Sequence, residues 1–580
     1  MIMPDGTDKD FIGLDRHFAR FICRLAGTDD PVLCQTSARL ARAVGAGDVC
    51  LDLAGPDSEG EDLPSTELLE RLRGFSVIGA PGAATPLVLD DAGRLYLYRY
   101  WCYESDLARA LLDKAAATDQ PDEGGVGEWL ARLFPAAPGA ETDRQREAAE
   151  VAARRRLCVI SGGPGTGKTS TVVKIIALLL GLAKGKKLRI GLAAPTGKAA
   201  ARLRESIRGA KENLNLPDEL KAMIPEDVVT LHRMLGWIKG GARFRHDADN
   251  PLPYDVLVVD EASMVAMPLM AKLAAALRRE SRLILLGDRD QLASVEAGAV
   301  LGDICEAGSM APEPGPAGTG IAGSMVFLER NYRFGTDSGI GLISRLVNTG
   351  QGGAALDAMG SGGSVSWQDA PAPDRLEKAL KNVVLEGFSA YLGAQDPVEA
   401  LRCLDDFCIL CALRQGPYGV TGINGLVERI LASAGRISPR SQWYSGRPII
   451  VTANDYGLRL FNGDIGLILP DREGGGALRA FFPSPDGGVR KIAPVRLPAH
   501  ETAFAMTVHK SQGSEFARIL LLLPPQDSPV ATRELVYTGI TRARQEVMIW
   551  GGESAFVDAV SRRVQRKSGL RQALLAGATG

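Results

Sequence analysis

The sequence predicts an α/β protein built around parallel sheets. From about residue 140, short runs of β-branched residues or leucine alternate with helical stretches, and each run ends in a polar or Gly-rich turn, namely at 157–160, 189–193, 256–260 and 283–286. This alternation is typical of parallel strands joined by crossover helices, whose ligands bind at the carboxyl ends of the strands. A second α/β unit is predicted by later runs at 407–413, 448–452, 518–523 and 546–550.

The remaining segments predict two smaller parts. Hairpin signals such as Asn462-Gly463-Asp464 indicate a small β-rich insert. The N-terminal region mixes helical patterns with a strand-like run at 94–103, so we expect an α+β accessory domain there. Stretches rich in Gly, Ala and Pro at 311–324 and 350–364 are expected to be flexible. The predicted domains are 1–135 (accessory), 136–345 (first α/β), 346–455 with 502–580 (second α/β) and 456–501 (insert).

Composition and charge bound the class of protein. The 580 residues are 45% hydrophobic and 23% charged, which is ordinary for a globular protein. The net charge of -2 provides no bulk cationic field, so any contact with nucleic acid requires a local groove. The longest apolar run, 175–183, is too short to cross a bilayer, and the first residues lack a signal-peptide pattern. We therefore expect a cytoplasmic protein with no membrane partner.

One segment matches the phosphate-binding pattern G-x-x-x-x-G-K-[ST]. An apolar strand precedes it and a helix-forming stretch follows, an arrangement in which backbone N–H groups at a helix N-terminus cradle phosphates. A Gly-rich surface turn is the alternative, but strand, loop and helix are all in place. Lys168 is expected to reach the β- and γ-phosphates of ATP, and Thr169 to hold Mg²⁺. The predicted nucleotide-binding residues are Gly162, Gly163, Pro164, Gly165, Thr166, Gly167, Lys168 and Thr169.

Two further strand ends carry acidic and amide side chains. The apolar run 256–259 delivers Asp260, which is expected to hold Mg²⁺ through water, and Glu261, which is expected to polarise the attacking water. Gln291 follows the next run and is placed to contact the γ-phosphate, although a polar turn explains it equally well.

Eight segments occur in a fixed order: 160–169, 194–199, 230–236, 259–264, 287–292, 331–334, 507–513 and 537–544. Together they resemble superfamily 1 helicases, and among these the RecD family, the alpha subunits of exodeoxyribonuclease V. The resemblance implies two RecA-like P-loop domains, an SH3-like insert and an ATP-dependent DNA helicase or translocase with 5′ to 3′ polarity.

The resemblance also implies roles for single residues. Gln145 would read the adenine, and Arg333 and Arg542 would act as arginine fingers from the two sides of a cleft. Cations that arrive when a cleft closes stabilise the charge that develops on the γ-phosphoryl oxygens. With Lys168, Glu261 and Gln291, these arginines form the expected catalytic set.

A track for DNA of any sequence needs hydroxyls and cations that contact phosphates. The resemblance implies such contacts for Thr196, Lys198, His232, Thr507, His509 and Lys510. Lys198 and Arg202 also belong to a local basic stripe with Arg204 and Arg208, and for the last two we favour a solvated helix face. For the two histidines a structural role is the alternative.

The implied setting is a RecBCD-type complex in double-strand break repair and recombination. The expected partners are single-stranded DNA, duplex ends, and RecB- and RecC-like subunits that contact the N-terminal region. We find no carboxylate and lysine constellation of nuclease type, so this chain is not expected to cut DNA. Three alternatives stay open: a free-standing superfamily 1 helicase, an NTP-binding scaffold that does not hydrolyse, and a different P-loop NTPase such as a transporter ATPase.

Overall fold

The computed structural model describes residues 11–55, 65–119, 122–135, 143–238, 241, 243–310, 320–333, 338–360, 363–455, 457–484 and 487–577. These residues form four sheets, two of which are fully parallel and one fully antiparallel. Across these ranges, no helix is long and apolar enough to cross a membrane. The predicted α/β fold class is confirmed.

The N-terminal region combines a four-stranded mixed sheet, in the order β1-β4-β3-β2, with helices. Its strands are β1 (Cys50–Asp52), β2 (Ile78–Gly79), β3 (Leu87–Leu89) and β4 (Arg94–Leu97). Its helices are α1 (Gly13–Ala26), α2 (Pro31–Ala46), α3 (Ser65–Arg73), α4 (Tyr98–Ala116) and α5 (Glu123–Leu133).

The strand-like run at 94–103 is a strand only in its first half, so this prediction was partly wrong. β4 ends at Leu97, and α4 begins at Tyr98 and continues through a segment of good helix formers. Leu107 and Leu111 of this helix are fully buried in the core beneath the first parallel sheet. Burial of one helix face therefore outweighs the β-propensity of the aromatic residues.

The first parallel sheet has six strands in the order β10-β5-β9-β8-β6-β7. They are β5 (Leu157–Gly162), β6 (Ile190–Ala194), β7 (Val228–Thr230), β8 (Val256–Val259), β9 (Arg282–Gly287) and β10 (Met325–Leu328), so the four predicted runs are confirmed as strands. The helices of this part are α6 (Arg144–Arg154), α7 (Lys168–Leu182), α8 (Gly197–Glu212), α9 (Asp218–Met223), α10 (Leu231–Leu235), α11 (Met267–Ala275) and α12 (Val300–Met310).

Both faces of the first sheet are covered. Along β5, Leu157 and Val159 pack into one hydrophobic cluster, whereas Cys158 and Ile160 pack into another on the opposite face. Successive side chains of a strand point to opposite faces, so a strand buried on both sides reads as a continuous apolar run.

The second half of the chain holds ten strands within the described ranges. They are β11 (Val365–Asp369), β12 (Phe407–Cys411), β13 (Arg447–Val451), β14 (Ile465–Pro470), β15 (Leu478–Pro483), β16 (Val489–Ile492), β17 (His500–Thr502), β18 (Ala505–Thr507), β19 (Phe516–Leu522) and β20 (Ala543–Gly551). The helices are α13 (Gly339–Asn348), α14 (Gly352–Ala358), α15 (Leu376–Gly387), α16 (Ser389–Gly393), α17 (Pro397–Leu404), α18 (Val420–Ser433), α19 (Arg533–Ile540), α20 (Glu553–Ser561) and α21 (Leu570–Ala576).

These strands form two sheets of different kind. The second parallel sheet has the order β11-β20-β19-β12-β18, and the antiparallel sheet has the order β16-β15-β14-β13-β17. The predicted run 448–452 was assigned to the second α/β unit, but β13 pairs with β14 and β17 in the antiparallel sheet. A β-rich insert is therefore present and includes β13; its likeness to an SH3-like subdomain stays a prediction.

The stretch 350–364 was predicted to be flexible, and this was wrong for its centre, which forms α14. A Cβ added at Gly352 would lie 3.0 Å from the Val557 Cα of α20, and Ala355 is fully buried. The small residues that suggested flexibility allow two helices to pack closely. Most of the other stretch, 311–324, lies outside the described residues.

The C-terminal segment leaves the second sheet and returns to the N-terminal region. The Lys567 N–H donates to Asp48 Oδ1 at 2.8 Å, and the Gly569 N–H donates to Glu104 Oε2 at 2.8 Å. Helix α21 then packs against α4 and α12, with Leu570 buried in the same cluster. Residues predicted to belong to the second α/β domain thus pack against the N-terminal region and the first sheet.

Asp303 should make stability depend on pH. Its Oδ2 accepts from the Ser568 hydroxyl at 2.8 Å, and burial, with a contribution from Glu104 and Glu306 and with Arg571 opposing, raises its pKa from 3.8 to about 7. The folded protein keeps a proton that the unfolded chain releases, so stability falls as pH rises from about 4 to 7 and the penalty is complete above 7. Asp303→Asn should remove a cost of roughly 4 kcal/mol at pH 8 and little at pH 4.

Thermal melts of wild type and variant from pH 4 to pH 8 measure this effect. The exposed loop substitution Asp249→Asn is the control. A Tm difference between wild type and Asp303→Asn that is constant with pH would contradict the assignment.

Candidate functional site

The loop between β5 and α7 has the shape of a phosphate cradle. Gly165 and Gly167 adopt left-handed φ values of 84° and 82°. A Cβ at Gly165 would lie 2.5 Å from the Arg333 Cβ, and a Cβ at Gly167 would lie 2.4 Å from Gln145 Nε2. Only glycine fits both positions, and the turn brings the N-terminus of α7, with its free N–H groups, to the cavity.

The Lys168 side chain lies across this loop and is held by two backbone carbonyl groups of the loop. Its Nζ donates to the carbonyl oxygens of Gly162 at 2.5 Å and Gly163 at 3.0 Å. The Thr166 hydroxyl donates to the Gly163 carbonyl at 2.8 Å, and Gln145 Nε2 donates to the Thr166 carbonyl at 3.2 Å. An ammonium beside a helix N-terminus suits the binding of an anion such as a polyphosphate.

A cavity of about 410 Å³ opens in front of the loop. The first parallel sheet contributes the carboxyl ends of its strands to this cavity, and the second contributes residues that precede β19 and β20. The predicted residues that line it are Pro164, Gly165, Gly167, Lys168, Thr169, Asp260, Glu261, Gln291, Arg333 and Arg542. Gly162 and Gly163 accept hydrogen bonds from the lining residue Lys168. Thr166 and Gln145 lie one step further away, because Thr166 donates to Gly163 and Gln145 donates to Thr166.

Asp260 and Glu261 form an acidic pair at the end of β8. The Glu261 N–H donates to Asp260 Oδ1 at 2.9 Å, and Glu261 has a φ of 51°, a strained value for a residue other than glycine. Burial raises the pKa of Asp260 to about 6, and Glu261 adds to the rise while Lys168 opposes it. With the Thr169 hydroxyl on the same cavity, the oxygen donors fit a hard divalent cation such as Mg²⁺.

Two arginines reach the cavity from opposite sides. Arg333 follows β10, and its neighbour Tyr332 donates its N–H to the Gly165 carbonyl at 2.8 Å. Arg542 follows α19 and is only 2% exposed. Its Nε donates to the Thr538 carbonyl at 3.1 Å. Burial lowers the pKa of Arg542, and the Glu261 carboxylate opposes that shift. The structure therefore brings both predicted finger arginines to the Lys168 cavity.

A buried hydrogen-bond network joins the two sides, and the sequence did not reveal it. Gln291 Nε2 donates to Asp288 Oδ2 at 2.9 Å, and the Tyr537 hydroxyl of α19 donates to the same oxygen at 3.0 Å. The Leu292 N–H donates to the Thr538 hydroxyl at 3.0 Å. Tyr537 lies in a segment from which only Arg542 was given a role, so the signal was present but its partner was unknown.

The basic stripe of α8 divides in the structure. Arg202 points into the cavity and pairs with Glu515, a residue that the sequence did not single out. Arg204 donates to the Val228 carbonyl at 3.0 Å, and Arg208 pairs with Glu226 at 3.4 Å. Arg208 is exposed, in line with the solvated helix face favoured for it, whereas Arg204 is partly buried and contacts the buried Val228 of β7.

Three residues predicted to contact DNA share a second groove of about 370 Å³, namely Thr507, His509 and Lys510. Arg414, Glu501 and Arg566 also line it. Lys510 Nζ donates to Glu501 Oε2 at 2.7 Å, and Arg414 donates to Glu501 Oε1 at 2.7 Å. Burial lowers the pKa of His509, and Arg566 adds to the shift.

The other three predicted DNA contacts lie elsewhere. The Thr196 hydroxyl caps α8 by accepting from the Ala199 N–H at 3.2 Å. Lys198 Nζ lies 5.8 Å from the centre of the Phe516 ring, and burial lowers its pKa while Asp405 opposes that shift. His232 is exposed on α10, with its ring 5.8 Å from that of Phe244.

Known proteins match this chain along its length. RecBCD enzyme subunit RecD of Mycobacterium tuberculosis is 42% identical to this chain over 575 residues, which cover 97% of this chain and 94% of that protein. The chain belongs to the RecD family.

Other RecD-family relatives and family models agree. RecBCD enzyme subunit RecD of Haemophilus influenzae is 36% identical, over 83% of this chain and 80% of that protein. The ATP-dependent RecD2 DNA helicase of Deinococcus radiodurans is 30% identical, over 84% of this chain but 59% of that protein. Family models match 10–96 (RecBCD enzyme subunit RecD, N-terminal domain), 145–297 (AAA domain) and 502–550 (UvrD-like helicase C-terminal domain).

In this RecD-family chain, the Tyr537 hydroxyl should contribute measurably to stability. It donates to a buried carboxylate, and hydrogen bonds to charged groups are worth about 1.5–3 kcal/mol. Tyr537→Phe should therefore cost that much in the free energy of unfolding at pH 8. Tyr391→Phe is the matched control, because the Tyr391 hydroxyl donates to a neutral acceptor, the Gly446 carbonyl, at 3.0 Å.

Urea unfolding curves of the two variants compare these losses. The control should lose only about 0.5–1.5 kcal/mol. If Tyr391→Phe lost as much free energy of unfolding as Tyr537→Phe, or more, the charge of Asp288 would add nothing to the strength of its hydrogen bond with Tyr537.

Proposed function

We propose that this RecD-family protein is an ATP-dependent DNA helicase that serves as the motor subunit of a RecBCD-type complex in double-strand break repair. The observation that carries the proposal is one cavity in which Lys168 of the P-loop meets Arg333 from the first α/β unit and Arg542 from the second. The terminal phosphate of a nucleotide bound there would contact residues of both units.

The residues in and beside the cavity take different roles in ATP hydrolysis. Lys168 and the N-terminus of α7 hold the phosphates, and Gln145 reads the adenine beside the loop. Thr169 and Asp260 would hold Mg²⁺, which neutralises charge on the β- and γ-phosphates. Glu261 orients and polarises the attacking water, because its strained backbone aims it into the cavity.

The arginines and the buried hydrogen-bond network make the second unit respond to the presence of the γ-phosphate. Arg333 and Arg542 stabilise charge on the transferring phosphoryl group. Gln291 lines the cavity and shares Asp288 with Tyr537, so a change at the γ-phosphate reaches α19. Arg542 also donates to the Ser514 carbonyl at 3.4 Å, which joins it to the segment that carries Thr507, His509 and Lys510. Opening and closing of the cleft thereby moves the DNA contacts.

The DNA track consists of two sets of residues. Thr507, His509 and Lys510 line the groove of the second unit, and Thr196, Lys198 and His232 supply contacts from the first unit. Hydroxyls and cations that contact phosphates hold any sequence. We propose 5′ to 3′ movement on single-stranded DNA starting from duplex ends, with no cutting of DNA by this chain.

The N-terminal region favours a subunit over a free-standing helicase. Residues 10–96 match the N-terminal domain of RecBCD enzyme subunit RecD. We therefore propose that this region contacts RecB- and RecC-like subunits. Isolation of the chain from its native cell with two larger subunits supports this proposal, and isolation of the chain alone contradicts it.

Lys168→Gln should abolish unwinding of a 5′-tailed duplex and reduce DNA-stimulated ATP hydrolysis at least 100-fold, because the variant loses the charge that holds the phosphates. Lys174→Gln on the same helix is the control, since Lys174 Nζ lies over the Phe134 ring at 4.5 Å and outside the cavity lining. Stopped-flow unwinding and phosphate-release assays measure both. Equal unwinding by wild type and Lys168→Gln would refute the proposal, and preference for a 3′ tail would refute the polarity.

Lys510→Ala should weaken binding of single-stranded DNA several-fold and reduce the salt slope of log K by about 1, the expectation for one lost phosphate contact. Lys491→Ala is the matched control, because Lys491 also pairs with two carboxylates, Asp471 at 3.0 Å and Glu473, but on the outer part of the antiparallel sheet. Fluorescence anisotropy titrations at several salt concentrations distinguish them. An unchanged salt slope in Lys510→Ala would show that Lys510 does not contact the DNA backbone.

A further inference from the structure

Glu515 lies inside the nucleotide cavity, yet none of the roles assigned so far uses it. Its side chain is 14% exposed and pairs with both Arg202 and Arg333. These arginines belong to the first α/β unit, whereas Glu515 directly precedes β19 of the second. One carboxylate therefore bridges the cleft by holding two guanidinium groups.

Glu515 carries a negative charge at neutral pH. Burial raises the pKa of Glu515, but Arg202 and Arg333 outweigh burial and the pKa is lowered overall. The carboxylate is therefore ionised at neutral pH. It is an anion in the cavity where the terminal phosphate of ATP has to lie.

A γ-phosphate and Glu515 need the same two cations. Arg333 is a proposed arginine finger, and Arg202 lines the same cavity. Two anions side by side repel each other, so the γ-phosphate and Glu515 cannot share these two cations without a loss of binding free energy. A nucleoside diphosphate has no γ-phosphate and leaves the Glu515 pairs intact. The competition therefore acts on ATP and spares ADP.

The position of Glu515 in the chain links this competition to the rest of the second unit. Ser514, directly before it, accepts a hydrogen bond from Arg542, and the segment that begins with Thr507 leads to it from the DNA groove. Gly513, with a φ of 72°, makes the turn between them and packs on Ala199 of α8, where an added Cβ would lie 3.4 Å from the Ala199 Cβ.

We propose that Glu515 is a positioning residue that competes with the γ-phosphate of ATP for Arg202 and Arg333. This inference rests on the proposed function, because it requires that the cavity bind ATP. Glu515 weakens binding of the triphosphate relative to the diphosphate, and it holds Arg333 until the γ-phosphate replaces it. Release of Glu515 then accompanies capture of the γ-phosphate.

Equilibrium binding of Mg-ADP and of a non-hydrolysable Mg-ATP analogue to the full chain tests this, without DNA. Glu515→Gln keeps the size of the side chain and removes its charge. It should bind the ATP analogue about 10-fold more tightly, equivalent to about 1.4 kcal/mol, with ADP affinity changed less than 3-fold. Glu515→Asp retains the charge on a shorter stem and should show a smaller gain.

Glu226→Gln is the matched control. Glu226 also bridges two cations, Arg208 at 3.4 Å and Lys211 at 2.7 Å, but on the surface of the first unit outside the cavity. It should leave the ratio of the two affinities unchanged. A purely structural role for Glu515 would change both nucleotides alike, so the ratio separates it from competition.

Three results would overturn the inference. An unchanged affinity ratio in Glu515→Gln would show that no competition exists, while the proposed function would stand. Weaker binding of both nucleotides by Glu515→Gln would show that the carboxylate contacts the bound nucleotide directly. Failure of the wild-type chain to bind either nucleotide would refute both the inference and the proposed function.

Discussion

The burial of Arg542 is the constraint on which the rest of the site depends. A guanidinium that is 2% exposed is stable only with hydrogen bonds and nearby negative charge. It donates to the carbonyls of Thr538 and Ser514 and lies near the carboxylate of Glu261. The second α/β unit thus places a buried cation against the acidic strand end of the first, at the wall of the cavity. This arrangement closes the cavity around the P-loop.

Two kinds of contact cross the cleft. Glu515 joins the second unit to Arg202 and Arg333 by charge, and Tyr537 joins it to Asp288 by a buried hydrogen bond. Charge pairs can be exchanged for a phosphate, whereas a buried hydrogen bond between neutral and acidic groups depends on exact packing. The first kind suits direct exchange with a bound phosphate, and the second connects Gln291 in the cavity to α19 of the second unit.

The two ends of the chain stabilise the first α/β unit together. Helix α21 packs between α4 and α12, and the segment before it donates hydrogen bonds to Asp48 and Glu104 of the N-terminal region. The second unit is therefore attached to the N-terminal region by its own C-terminal segment.

The sequence by itself determined the P-loop, the acidic strand end and four of the six strands of the first sheet, because a phosphate cradle and a doubly buried strand need particular residues at fixed spacing. The order of the motifs also pointed to Arg333 and Arg542 as residues of the nucleotide cavity. Only the tertiary structure decided that β13 joins the antiparallel sheet, that α4 begins at Tyr98, and that Arg202 faces Glu515. These outcomes depend on pairing between segments distant in the chain, and local pattern carries no information about which partner a strand, an apolar face or a charge will find.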